Sequence, residues 1–222
     1  TYDEYANLNK QRLLYFDNRI TDDLLIARTV LDNRLGRLAD AAKPLNLVFT
    51  GRLTRTKGVL DLIQVANELR RHQVDFRLSI VGGGELADQL NAQVLHNGLE
   101  QLVQVLAPKE FRSELIPFVQ QTDLFVCPHP QGDPSCTYVE TLACGVPIVG
   151  YANEALEGVA RYSAAAWHVP LGKPNALAAE IALHRIEAQL HGGDARAAEL
   201  LGEDLVDGAL DGVRARLDAL RP

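Results

Sequence analysis

Two cations set five residues apart, Arg52 and Lys57, follow the run Leu47-Val48-Phe49-Thr50-Gly51 and precede Gly58 and a stretch of helical periodicity. A strand running into a glycine turn, then fixed positive charge, then a helix start, suits a diphosphate. The cations and the first amide groups of a helix both favour negative oxygen. Taken alone, the same residues could be solvated loop charges, and Arg55 in the same loop is read that way. A second strand–glycine–helix passage, Ser79-Ile80-Val81-Gly82-Gly83-Gly84-Glu85, includes Gly83 and offers backbone that a ligand can approach closely, or simply a tight turn. It departs from the dinucleotide fingerprint at Ala87, a tolerated replacement for the third glycine.

The most specific passage runs from Asp123-Leu124-Phe125-Val126-Cys127-Pro128 through a Pro/Gly/Asp/Ser loop to Glu140-Thr141-Leu142-Ala143-Cys144-Gly145-Val146-Pro147-Ile148-Val149. An apolar strand leaves into the loop and a helix begins around Ser135 or Thr137. The amides of Ser135, Cys136 and Thr137 then face phosphate or sugar oxygens, and Glu140, about one turn in, can accept hydrogen bonds from a ribose diol. A helix-dipole partner without a ligand is the plainer reading of Glu140. His129 is read as a surface or capping residue rather than a base, since position alone does not set its pKa.

The elements that must carry these residues follow from the apolar pattern. Short β-rich runs at Leu45–Thr50, Phe76–Val81, Leu102–Leu106, Leu124–Cys127, Pro147–Gly150 and Ala165–Val169 alternate with amphipathic stretches. Those stretches lie at Val59–Arg71, Glu85–His96, Glu110–Gln121, Thr137–Cys144, Glu154–Val159 and Asn175–Leu190. Such alternation predicts a doubly wound, Rossmann-like α/β domain with a parallel sheet and right-handed crossovers. Ligands of such sheets bind beyond the carboxyl ends of the strands, where all three chemistry-bearing passages fall. Leu13–Ile20 reads as a short strand, Asp22–Leu38 as helical or irregular, and Asp204–Leu220 as a helix.

With 222 residues, 47% hydrophobic and 23% charged, the chain can bury one full core. A net charge of −7 argues against a general nucleic-acid or acidic-membrane surface, so any anion site is local. Cys127, Cys136 and Cys144 lack metal-ligand spacing and read as small buried residues.

Taken in order, Gly51-Arg52…Lys57-Gly58, Val81-Gly82-Gly83-Gly84, Asp123 to Pro128 and Glu140 to Val149 resemble the C-terminal domain of retaining GT-B glycosyltransferases of family 4. The likeness covers roughly Leu45 to Leu190, and the motifs are specific jointly rather than singly. The resemblance implies a nucleotide diphosphate sugar as donor, with no metal in the site. It assigns Arg52 and Lys57 to the diphosphate and Glu140 to the ribose, with all three expected as the catalytic residues. The segment holding Ala107 and Lys109 lines the base pocket. The first glutamate of the family's E-x7-E motif falls at Gly132, which has no side chain. Asp133 could stand in for it if the loop shifts.

The implied organisation is a hinge or remnant of a missing N-terminal acceptor domain over 1–44, a donor-binding domain over 45–191 and a helical segment over 192–222. On this reading the chain is inactive alone. The full enzyme is cytoplasmic, with peripheral association at the inner face of the membrane, and takes no nucleic acid as partner. Other readings stand beside it: another GT-B-fold nucleotide-sugar enzyme, either a retaining transferase of a different family or a nucleotide-sugar epimerase; a non-catalytic nucleotide-sugar-binding module, which Gly132 favours; and more weakly a dinucleotide oxidoreductase.

Overall fold

The computed structural model describes residues 19–40, 42–132, 136–161 and 163–190, with side chains through 185. Six strands form one parallel sheet: β1 (Leu45–Thr50), β2 (Phe76–Val81), β3 (Val103–Leu106), β4 (Leu124–Cys127), β5 (Ile148–Tyr151) and β6 (Ala166–Val169). Their order is β3-β2-β1-β4-β5-β6. The direction of winding reverses between β1 and β4, which opens a crevice at the carboxyl ends of those two strands. β1 pairs in register with β2 from Leu45–Phe76 to Thr50–Val81, and with β4 at Leu47–Leu124 and Val48–Phe125.

The central strands β1, β4 and β5 read as nearly continuous apolar runs because both faces of the sheet are covered there, whereas β2, β3 and β6 expose Arg77, Gln104 and His168. On one face Leu47, Phe49, Leu78 and Ile80 pack under α2 (Asp61–Arg71), α3 (Ala87–His96) and α7 (Pro174–Leu190). On the other, Val48, Phe125 and Ile148 meet α4 (Ile116–Gln120), α5 (Cys136–Ala143) and α6 (Glu154–Ala160). No described helix is long and apolar enough to cross a membrane.

Two expected boundaries move for physical reasons. The stretch expected as one helix over Glu110–Gln121 opens with a π turn at Phe111–Leu115 before α4. Pro117 lacks an N–H and its ring crowds the carbonyl four residues earlier, so the chain widens there, with Leu115 N donating to Glu110 O at 2.8 Å. The strand expected from Pro147 begins instead at Ile148: proline cannot donate to the ladder, but its carbonyl accepts from Phe125 N at 2.9 Å.

The stretch before β1 packs onto the domain. A 3₁₀ turn at Asp22–Leu24 leads into α1 (Arg28–Ala39). Helix α1 lies at the amino edge of the sheet, where Arg34, 5% exposed, donates to the carbonyls of Gln120, Thr122, Cys144 and Gly145. Arg37 pairs with Asp123, which also accepts from Asn46 N at 2.7 Å. Burial pushes the Asp123 carboxyl up, while Asn46 N–H and the two arginines pull it back. From α7, Arg185 donates to the carbonyls of Leu38, Asp40 and Lys43, closing a clamp around the entry to β1. On the same helix His184 lies 4.1 Å from the ring of Trp167 in β6. Leu13–Ile20 falls almost wholly outside the described residues, and its last two are not in a strand; Asp204–Leu220 lies outside them entirely.

Candidate functional site

The loops leaving the carboxyl ends of β1, β2 and β4 lean on one another. Gly51 N donates to Val81 O at 3.0 Å, Leu53 N to Gly83 O at 2.9 Å, and Leu86 N to Leu53 O at 3.0 Å. Lys57 ends a 3₁₀ turn (Arg55–Lys57), and Gly58 closes it in the left-handed region at φ 63°. A Cβ on Gly58 would stand 1.9 Å from Pro128 O, so only glycine lets the β1 loop touch the β4 loop.

The candidate cations differ in setting. Arg52 and Arg55 are exposed, while Lys57 is 8% exposed and its charge acts on the Cys127 thiol of β4. Lys57 thus lies near the end of β4 rather than in open solvent. Gly83 lies against the loop after β3: a Cβ there would meet Pro108 Cγ at 3.2 Å. Ala107 is exposed and Lys109 half-buried, with its Nζ 5.2 Å from the centre of the Phe118 ring. Cys136 and Thr137 begin α5, and Ser135 lies outside the described residues, as does Asp133.

Glu140 is buried in α5, and its partner is a residue that sequence reasoning did not single out. Arg19 Nε donates to Oε1 at 2.8 Å and Arg19 Nη2 to Oε2 at 3.2 Å, with the guanidinium 3.9 Å from the centre of the Phe111 ring. Arg19 therefore links the ribose candidate to the start of the π turn that follows the segment expected to line the base pocket. A carboxylate offers about four lone-pair sites, so this fork leaves acceptor capacity on both oxygens. No local signal marks such a pair across 121 residues.

His129 corrects the surface reading. It is 2% exposed, with its ring 5.8 Å from Phe49 edge-on and 6.1 Å from Tyr138. Its carbonyl is held by Asn153 Nδ2 at 2.9 Å, and the same nitrogen reaches Tyr138 Oη at 3.2 Å. Asn153 Oδ1 caps α6 by accepting from Leu156 N at 2.9 Å. Tyr151 Oη, at the end of β5, donates to Asp61 Oδ2 at 2.6 Å. Burial pushes the Tyr151 pKa well above the usual phenol value, and the bond to Asp61 adds to that shift.

Residues 36–185 match the family model described as glycosyl transferases group 1. The chain belongs to this family. Among curated relatives of this group 1 chain is the amylovoran biosynthesis glycosyltransferase AmsK of Erwinia amylovora, 27% identical over 150 residues. That match takes in 64% of this chain and 37% of AmsK, so the chain spans little more than a third of that relative's length. Among solved structures, the C-terminal domain of a group 1 family protein (LpcC) from Francisella tularensis superposes with a TM-score of 0.58 at 15% identity, covering 82% of this chain and 91% of that one. Anabaena HepE in complex with UDP and glucose superposes at 0.60 and 19% identity, covering 89% of this chain and 55% of that one. The expected GT-B C-terminal domain is therefore the observed one in fold, and the family shown is glycosyl transferases group 1.

Two of the cysteines follow the expected burial. Burial pushes the Cys127 thiol up to about 11 and Cys144 up to about 12. Thiolates are the reactive form, so both are inert at neutral pH. Cys136, half-buried at the start of α5, is the accessible one. Native protein is expected to titrate about one thiol with a thiol-specific disulfide reagent and all three in denaturant. Rapid titration of all three without denaturant would contradict the packing of β4 against Tyr138.

Proposed function

We propose that this chain binds a nucleoside diphosphate sugar in the β1/β4 crevice and forms the donor half of a retaining hexosyltransferase acting in glycan or lipid-linked glycan assembly. The observation that carries the reading is the reversal of strand order between β1 and β4. It sets the loop of Arg52 and Lys57 and the helix of Glu140 on two sides of one crevice at the carboxyl ends of the strands. In this reading Glu140 accepts from the ribose hydroxyls. The amides of Cys136 and Thr137 face phosphate or sugar oxygens, and Gly51 and Gly83 allow close backbone approach. Ala107 and Lys109 border the base. Loss of the nucleoside diphosphate builds negative charge on the β-phosphate, and Arg52 and Lys57 offset it as the glycosidic bond breaks. The acceptor is held by a second domain, whose positioning contributes on the order of 7–11 kcal/mol. This chain alone therefore binds donor and transfers slowly or not at all.

Calorimetric titration with UDP, GDP, ADP and the matching monophosphates tests the assignment. Arg52→Ala and Lys57→Met each remove a charge-assisted contact of roughly 1.5–3 kcal/mol, so diphosphate affinity falls about ten- to hundredfold. Methionine keeps the buried stem of Lys57 filled while removing the charge. Monophosphates lose much less. Equal losses for mono- and diphosphates, or none, would remove both residues from the β-phosphate.

A further inference from the structure

Gly132 stands where the family resemblance leads one to expect a carboxylate, but the space beside it is not empty. A Cβ built on Gly132 would lie 3.0 Å from Glu154 Cβ, 3.3 Å from Glu154 Oε2 and 3.4 Å from Glu154 N. The backbone and carboxylate of Glu154 therefore border the space that a side chain at Gly132 would need. The placement is built in from below. Glu154 is the first residue of α6, and the residue before it, Asn153, is 3% exposed. Asn153 ties the start of α6 to the β4 exit through His129 O and Tyr138 Oη. β4 and β5 are neighbours in the sheet, so the loop through Gly132 and the start of α6 both rise from its carboxyl edge. Glu154 itself is exposed at that edge.

We infer that Glu154 is the donor-sugar carboxylate of this chain, supplied from the β5–α6 connection in place of the β4 loop. An ionised carboxylate only accepts hydrogen bonds, and the hydroxyls of a hexose are donors, so the ligand group is the polyhydroxylated sugar rather than the phosphates. Gly132 is the permissive half of the pair: a side chain there crowds Glu154 and obliges its Cβ and carboxylate to give by a few tenths of an ångström. The inference rests on the nucleotide-sugar reading above. It adds a specificity-determining residue to it.

The test compares free UDP, GDP and ADP with UDP-glucose, GDP-mannose and ADP-glucose by calorimetric titration of the chain. The quantity read is the affinity gained when the sugar is attached to whichever nucleotide binds. Glu154→Gln and Gly132→Ala should each leave the free nucleotide within about twofold and cut the sugar-dependent gain about five- to tenfold, the size of one lost ordinary hydrogen bond. Glu154→Asp should restore part of the gain. An unchanged gain in Glu154→Gln, or equal losses for nucleotide and nucleotide sugar, overturns the assignment. If Glu154→Gln acts and Gly132→Ala does not, the coupling of the two positions is wrong. Failure of the unaltered chain to bind any of the six ligands would sink the nucleotide-sugar reading itself, a result distinct from each of these.

Discussion

Arg34→Met lowers the unfolding free energy by about 3–5 kcal/mol, the scale for removing one partner from a buried charged network. The guanidinium is 5% exposed and serves four carbonyls, those of Gln120, Thr122, Cys144 and Gly145. Burial draws its pKa down from the usual arginine value and Asp123 opposes that pull, yet an arginine so placed remains charged. Methionine fills much of the volume but donates nothing, leaving the carbonyls short of a partner and Asp123 with Arg37 alone as cation. Domains of this kind are stable by roughly 5–15 kcal/mol, so the loss is a large fraction of the whole. Urea unfolding should show a lower midpoint with an unchanged slope. Nucleotide affinity measured well below that midpoint should not move, because the clamp sits at the amino edge of the sheet and the crevice at the carboxyl edge. A variant within about 0.5 kcal/mol of the parent, the range of an ordinary surface substitution, would mean that water replaces the guanidinium and the clamp contributes little.

Gly58→Ala strikes both stability and binding. The backbone there is left-handed at φ 63°, which costs an L-residue roughly 1–2 kcal/mol before any contact is considered. The new methyl would stand 1.9 Å from Pro128 O and 2.9 Å from the Pro128 carbonyl carbon, both backbone atoms. Relief requires the β1 loop to part from the β4 loop, taking Lys57 with it. The expected cost is about 2–4 kcal/mol in stability, in the upper range for single substitutions, together with a loss of diphosphate affinity of tenfold or more. Gly36→Ala is the control: it lies inside α1 with nothing within 4 Å of its Cβ position. Alanine there should stabilise by roughly 0.5–1 kcal/mol through helix propensity and leave binding alone. If Gly58→Ala binds UDP, GDP or ADP like the parent, close contact of the two loops does not position the cations.

The sheet was legible in the sequence because its central strands are buried on both faces. Runs such as Leu-Asn-Leu-Val-Phe-Thr at β1 and Leu-Phe-Val-Cys at β4 lack the alternation of a half-exposed strand, and helical periodicity between them leaves few topologies. Glycines at strand exits and the cations after β1 marked the crevice for the same local reason. What escaped was non-local. His129 is enclosed by Phe49 from β1 and Tyr138 from α5, so its burial exists only once three segments are assembled. The pairing of Arg19 with Glu140 spans most of the described chain, and the Arg34 clamp gathers carbonyls from segments flanking α4 and α5. Glu154 reads as an ordinary acidic first-turn residue until its contact with Gly132 is known.

Trp167 is the single tryptophan of the chain, and its indole lies 4.1 Å from the imidazole of His184. A fluorophore beside a quencher is a built-in optical gauge of whether α7 is seated on β6. The same helix grips the entry to β1 through Arg185, so loosening at the amino edge reaches the indole as a change in emission intensity and wavelength. The gauge belongs to the unlabelled protein and sits on an edge strand, two places from β4 in the sheet. Emission therefore follows the scaffold while calorimetry follows the crevice. Arg34→Met should alter the first signal without the second, and Lys57→Met the second without the first.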